Sequence, residues 1–467
     1  MDQPEHSDNE IYRVIVLRRG GTELLVAPAA AGFSLPEVTI SRWQRVAENL
    51  TAAMKEQWGE EVICLFQPDL AALVPAENQV SYQVAEHWRC VGRPERPTQW
   101  VSVEDLGRVS STESCDYAAI QRSRAECGVS GHGAMAAPFA QVGWFKELYE
   151  WIDAEVEPKG LHLNGNFRQL NANPSFSLIR FETDGPAIWF KAVGEPNRRE
   201  FPITLTLARL LPSYVPQVLA ARPSWNGWIM TEVEGTNLGE TRDRPLWEAA
   251  AAALARLQIE CIATHRELVD CGAHGLRIEM LRGLVSPFMD VAAHLMEKQS
   301  KVPPAVLGKM ELRLIEERIH EALSILEDLG IPDTLGHLDL NPGNIITSKS
   351  QCAFLDWAEA YIGQPFFAFQ YLLEHFRRMS SADSVSEKKV VTSYLAPWEQ
   401  VASRNCVEEA MVLTPLLAVF VYAAGTGAWM QPNRLSDPKA AGYLRSLVRR
   451  MNREANQLTE RRSSCLS

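Results

Sequence analysis

The sequence predicts an α+β chain, with a small α/β module first and then a larger region that is sheet-rich at its start and helical for the rest. Three observations predict this. The chain has 467 residues, more than one hydrophobic core usually organises. Short apolar runs separated by polar turns fill residues 11–66 and 161–193, the pattern of strands. From 247 onward the apolar residues recur at helical spacing over long stretches. We expect boundaries near 138 and 235, giving parts 1–138, 139–235 and 236–467.

Composition excludes several classes. With 46% hydrophobic and 22% charged residues the chain can bury a core, and 46 basic against 58 acidic residues leave a net charge of −12. That balance argues against a general nucleic-acid binder and tolerates cationic small substrates. Nine scattered cysteines, with no Cys-x-x-Cys pair, suit reduced thiols and a cytoplasmic location. The first residues, Met1-Asp2-Gln3-Pro4-Glu5-His6, are polar and acidic, unlike a signal peptide. Met411 to Met430 carries no formal charge over twenty residues, near the length of a bilayer span. Pro415 and two glycines interrupt it, so a buried helix is expected there, and no membrane partner.

The elements follow in order. Ile11 to Leu17 and Glu23 to Ala27 flank Gly20-Gly21 and predict a hairpin. A loop is expected over 32–37. Trp43 to Trp58 has Val46, Ala47, Leu50, Ala53 and Met54 at helical spacing, closed by Gly59, and Val62 to Phe66 reads as a strand. Residues 105–140 lack a long apolar period and predict a linker; His132, between two glycines, falls in a turn there. Phe139 to Val156 predicts an amphipathic helix. Residues 168–182 predict two extended segments around the polar turn Asn171-Ala172-Asn173-Pro174-Ser175, and Ala187 to Val193 a third. Gly227 to Gly235 is a strand running into a loop. Helices are expected over 247–258, 276–298, 305–329, 366–380, 384–405, 407–430 and 437–460.

The chemistry concentrates in His337-Leu338-Asp339-Leu340-Asn341-Pro342-Gly343-Asn344, followed by an apolar hairpin ending in Asp356-Trp357. One carboxylate to take or orient a hydroxyl proton, then a carboxamide and a second carboxylate at this spacing, form a phosphoryl-transfer pattern. Lys191 closes a buried apolar strand, which is costly unless an anion faces it, and Glu200 in the following helix is the natural partner.

These residues resemble the aminoglycoside phosphotransferase and choline kinase group, whose fold is protein-kinase-like and bilobal. The resemblance implies Asp339 as catalytic base, Asn344 and Asp356 as magnesium ligands, and His337 as a support of the loop. It also implies Lys191, paired by Glu200, on the α and β phosphates of ATP. The backbone from Glu232 to Glu234 would meet the adenine edge. No Gly-x-Gly-x-x-Gly stands between 160 and 190, so the turn's amides and the Ser175 hydroxyl would cover the phosphates instead. The implied function is transfer of the γ-phosphoryl of ATP to a hydroxyl of a small molecule, the acceptor being unspecified. The alternative is a nucleotide-binding scaffold or sensor without turnover.

Hairpin, Leu-Pro loop, helix ending in Gly and strand also resemble a Nudix domain over residues 1–138. Counted back from Gly59, its Arg-Glu positions are Ala52 and Ala53, and its Glu-Glu positions Glu56 and Gln57. With one metal carboxylate left, the module is expected to be non-catalytic.

Overall fold

The computed structural model describes residues 9–29, 32–68, 70, 80–93, 96–105, 114–127, 138–348, 351–380 and 384–465. The chain divides into two compact units: residues 1–201 with 218–232, and residues 202–217 with 233–467. The N-terminal hexapeptide and the turn holding His132 lie outside the described residues.

The first unit opens on a mixed sheet. Strands β1 (Asn9–Arg18) and β2 (Glu23–Ala29) form the expected hairpin, Leu17 facing Leu24. Its turn is carried by Gly20 and Gly21 at φ 67° and 83°, a region open to glycine at no steric cost. The expected loop at 32–37 is instead mostly strand. Strand β3 (Gly32–Ser34) pairs with β2, and β4 (Glu37–Ser41) pairs with β1. Leu35-Pro36 only redirects the chain between two sheet edges, which its composition concealed.

Helix α1 (Val46–Trp58) buries Ala47, Leu50, Met54 and Trp58, and ends where Gly59 turns left-handed and donates its N–H to the Met54 carbonyl. Trp43 is not in that helix and is 87% exposed. Strands β5 (Glu60–Phe66), β6 (Ser81–Cys90) and β7 (Gln99–Ser102) complete the sheet, β6 parallel to β1. The expected linker contains helix α2 (Ser114–Glu126), whose apolar residues follow no single face.

Helix α3 (Trp144–Val156) buries Trp144, Phe145, Leu148, Ile152 and Val156, while Phe139 is buried in a separate short turn ahead of Gly143. Phe145 packs against Trp88 of the first sheet and Phe167 and Phe181 of the second, with ring centroids 4.9, 4.8 and 6.1 Å away. That second sheet has strands β8 (Leu163–Asn173), β9 (Phe176–Thr183), β10 (Ile188–Val193), β11 (Val218–Arg222) and β12 (Gly227–Thr231), in the order β11-β12-β10-β9-β8. The two sheets therefore share one core. Gln169 on β8 adds a seam, because its buried amide accepts from the Cys64 N–H at 2.8 Å and donates to the Cys64 carbonyl at 2.9 Å.

Helix α4 (Glu200–Leu210) follows β10. In the second unit, β13 (Thr236–Asn237) precedes α5 (Arg244–Cys261), α6 (His265–Asp270), β14 (His274–Leu276), α7 (Ile278–Glu297) and α8 (Lys309–Asp328). Then come β15 (Thr334–His337), β16 (Ile345–Thr347), β17 (Cys352–Phe354) and β18 (Ala360–Gly363). Helices α9 (Phe366–Ser380), α10 (Ser384–Trp398), α11 (Arg404–Gly425), α12 (Pro432–Leu435) and α13 (Pro438–Cys465) complete the chain. Gln258 on α5 is a buried polar tie: it donates to the Pro365 carbonyl at 3.0 Å and accepts from the Tyr394 hydroxyl at 2.7 Å. Helix α11 is long and apolar enough to cross a membrane by length and composition. Here its Val407, Leu413, Leu417, Phe420 and Val421 are core residues, and Thr414 satisfies its hydroxyl on the Ala410 carbonyl.

Candidate active site

In the first unit, Lys191 lies on β10 opposite Leu178 of β9 and Trp228 of β12. Lys191 is 7% and Glu200 2% exposed, and Nζ donates to Glu200 Oε1 at 2.5 Å. The carboxylate meets the charge that burial would otherwise strand. The rings of Phe176 and Trp228 lie 5.7 and 5.9 Å from the ammonium.

The turn between β8 and β9 is held from within. Asn173 Oδ1 accepts from the N–H groups of Ser175 and Phe176 at 2.8 and 3.0 Å. The Ser175 amide, one of those expected to cover phosphates, is thus already bonded, because asparagine readily caps its own turn; Ser175 retains its hydroxyl. The Ser175 carbonyl accepts from Gly194 N at 2.7 Å, and a Cβ on Gly194 would come 2.2 Å from the Pro174 carbonyl oxygen. Glu232 donates its backbone N–H to the Ala187 carbonyl at 3.1 Å, so it extends the sheet. Its carboxylate takes Arg180 Nε and Nη2 at 2.7 and 2.8 Å and is held below the usual range first by that bond.

In the second unit, His337, Asp339, Asn344 and Asp356 come together around one loop. His337 ends β15 and is buried. Its Nδ1 accepts the Asp339 N–H at 3.1 Å and its Nε2 lies 3.3 Å from the Leu355 carbonyl. An N–H donor facing Nδ1 and a carbonyl facing Nε2 select the neutral ring protonated on Nε2, and burial pushes its pKa down in the same sense. The ring packs on Trp357, centroids 5.2 Å apart.

Asn344 donates its side-chain N–H to the Asp339 backbone carbonyl at 3.1 Å, which assigns the amide nitrogen and leaves Oδ1 as the atom for a ligand. Asn341 supports the turn by accepting from Gly343 N at 2.9 Å, and Asn237 donates to the Gly343 carbonyl at 2.8 Å. The hairpin of β16 and β17 pairs Ile345 with Phe354, and Leu355 N donates to the Asn344 carbonyl at 2.8 Å. Asp356 is exposed and left-handed, with φ 64° and ψ 59°, a conformation aspartate tolerates better than most residues. Strain at such a point is one mark of a functional position.

A tyrosine that the motif did not reveal completes the loop. Tyr371 on α9 donates its hydroxyl to Asp339 Oδ1 at 3.2 Å. Burial and then the neighbouring Asp339 charge push its pKa up to about 12, so it remains a proton donor. Beside it lies a cavity of about 120 Å³ whose lining includes His337, Glu374, Arg378, Tyr422, Tyr443 and Arg450. Glu234 is exposed. Among the described residues no three His, Cys, Asp or Glu side chains cluster as a metal site. An amide oxygen and carboxylate oxygens are nevertheless the hard donors magnesium takes, together with substrate phosphates and water.

Residues 192–388 match the model of the phosphotransferase enzyme family, a span that begins one residue after Lys191 and contains Glu200, Asp339, Asn344 and Asp356. No curated protein matches the chain. Solved structures similar to it include the macrolide 2′-phosphotransferase of Brachybacterium faecium, at 18% identity and TM-score 0.41 over 64% of this chain and 98% of that one. The ethanolamine kinase of Plasmodium vivax is 16% identical, with TM-score 0.43 over 64% and 83%. The choline kinase of Streptococcus pneumoniae is 14% identical, with TM-score 0.42 over 67% and 99%. The family match does not reach residues 1–138. Where it does reach, it contains the His337 to Asp356 motif, and the segment from Ala192 to Lys388 is similar to the phosphotransferase enzyme family.

Proposed function

We propose that the chain is a small-molecule kinase that moves the γ-phosphoryl of ATP to a hydroxyl of an organic acceptor. The observation that carries the reading is the order within one loop: Asp339 with one carboxylate oxygen on the Tyr371 hydroxyl, and Asn344 with its nitrogen fixed on the Asp339 carbonyl. The acceptor's O–H proton passes to Asp339 Oδ2 as its oxygen bonds to the γ-phosphorus. The bridging P–O bond breaks with its electron pair leaving on ADP, and Asp339 then returns the proton to water. Tyr371 holds Oδ1, so the carboxylate has one orientation for the task.

Asn344 Oδ1 and the Asp356 carboxylate are the residues to hold magnesium, which when bound neutralises charge on the phosphate oxygens. Lys191, oriented by Glu200, braces the α and β phosphates, and the Ser175 hydroxyl caps the phosphate turn. The segment from Glu232 to Glu234 offers its remaining backbone groups to the base, since the Glu232 N–H is taken. The division into 1–138, 139–235 and 236–467 is retained as a functional one, with the first module Nudix-like and non-catalytic. Eight described cysteines are free thiols, which favours a reducing compartment such as the cytoplasm.

The test is ADP formation by the full chain with magnesium and ATP against a panel of amino alcohols, sugars, aminoglycosides and hydroxy acids. Acceptor-dependent turnover that falls by about a hundredfold or more in Asp339→Asn is expected, the usual size of a general-base contribution. Nucleotide binding with no turnover on any acceptor would favour the scaffold alternative.

A further inference from the structure

The cavity beside Asp339 carries information about the acceptor, on the footing that the phosphotransferase reading of the loop is right. Its charged wall is Glu374 with Arg378 and Arg450. Glu374 is 9% exposed and both of its oxygens are engaged. Oε1 accepts from Gln370 at 3.2 Å and from Arg450, and Oε2 accepts from Arg378 at 3.4 Å. Glu374, the one carboxylate among the described residues of that lining, is therefore already paired with both guanidiniums.

The guanidiniums are in the opposite position. Each carries five N–H donors, and each gives one to Glu374. Two cations against one anion leave the wall with a formal surplus of one positive charge, in a chain whose total is −12. Arg378, 61% exposed along its side chain and held at 3.4 Å, is the looser of the two and keeps donors for a ligand.

The remaining wall is aromatic. Tyr371 and Tyr422 stack with centroids 5.7 Å apart and planes at 20°, and the Tyr443 hydroxyl meets the Tyr422 hydroxyl at 3.2 Å. These rings present a flat apolar surface next to the hydroxyl that orients Asp339.

We infer that the acceptor is a hydroxylated carboxylate with a flat or apolar body, its hydroxyl at Asp339, its body on the tyrosines and its carboxylate at Arg378. A carboxylate suits a planar fork that can bond it twice. A polycation is disfavoured, because it would meet two guanidiniums, and the carboxylate of the lining, Glu374, is already paired with both.

Three probes of one skeleton test this: phenyllactate as the anion, phenylpropanediol as the neutral compound and phenylalaninol as the cation. Binding is measured by calorimetry on the full-length wild-type chain with magnesium and a non-hydrolysable ATP analogue, and phosphoryl transfer by phosphorus NMR on the same chain with ATP. Phenyllactate is expected to bind at least tenfold more tightly than phenylalaninol. Arg378→Ala should weaken phenyllactate about tenfold, the loss expected for one charge-assisted hydrogen bond, with Arg378→Lys intermediate and phenylpropanediol little changed. Stronger binding by the cation, no binding by the anion, or an anion preference untouched in Arg378→Ala overturns the inference. Anion-selective binding with no transfer to any probe would leave the pocket assignment standing and count against the kinase reading, whereas transfer that favours phenylalaninol would do the reverse.

Discussion

At the scale of single residues, the pair Lys191–Glu200 separates stability from chemistry. Both side chains are buried, so removing one strands the other at a cost of about 3–5 kcal/mol, while replacing both with apolar groups can be close to neutral. Glu200→Gln should therefore lower the urea midpoint sharply, and Lys191→Met with Glu200→Leu should recover much of it. Turnover should be lost in both proteins; a fully active double variant would remove Lys191 from the mechanism. The loop residues Asp339, Asn344 and Asp356 were legible in the sequence because they lie within eighteen positions of one another, and chain spacing fixes their placement once the hairpin forms. Tyr371, Arg378, Tyr422, Tyr443 and Arg450 were not legible. They come from α9, α11 and α13, and only packing brings such distant turns to one cavity. Asn173 reads from the sequence as part of a phosphate cover, yet its side chain takes the Ser175 amide for itself.

At the scale of elements, two joints invite test. Gly194, after β10, lies so close to the Pro174 carbonyl that any Cβ must displace backbone. Gly194→Ala is expected to cost about 1–3 kcal/mol, as overpacking does, and to raise the KM for ATP more than it lowers kcat. An unchanged KM would detach this turn from nucleotide binding. Glu86 on β6 accepts the Gly143 N–H at 2.8 Å at the start of α3, and burial pushes its pKa up to about 7. A carboxyl whose folded pKa lies above its unfolded value, here 4.5, stabilises at low pH, and that contribution fades as pH rises through about 7. Thermal unfolding should thus show the wild type losing stability between pH 5 and pH 8 relative to Glu86→Gln; parallel profiles would refute the assignment. Elements with a clean period, such as α1, α3 and the β16–β17 hairpin, were visible in advance. Helix α2 was hidden because it has no apolar face, and β3 and β4 because short edge strands carry too few residues to show alternation.

At the scale of the whole molecule, the first unit is more continuous than the sequence suggested. Phe145 and its neighbours fill a core shared by both sheets, and Gln169 bonds the Cys64 backbone as a further strand would. Gln169→Leu leaves a buried N–H and carbonyl unpaired, each costing about 1–3 kcal/mol. Hydrogen exchange over residues 62–66 should accelerate markedly; unaltered protection would mean the seam adds nothing. The site in the second unit remains the centre of the account, and magnesium-dependent nucleotide binding tests it most directly. Asp356→Asn keeps a residue that tolerates the left-handed backbone but removes the charge. Calorimetric titration of ATP, with and without magnesium, is predicted to show a magnesium-dependent gain in affinity for the wild type and Asp339→Asn, and loss of that gain in Asp356→Asn. An undiminished magnesium effect in Asp356→Asn would contradict the assignment of this loop.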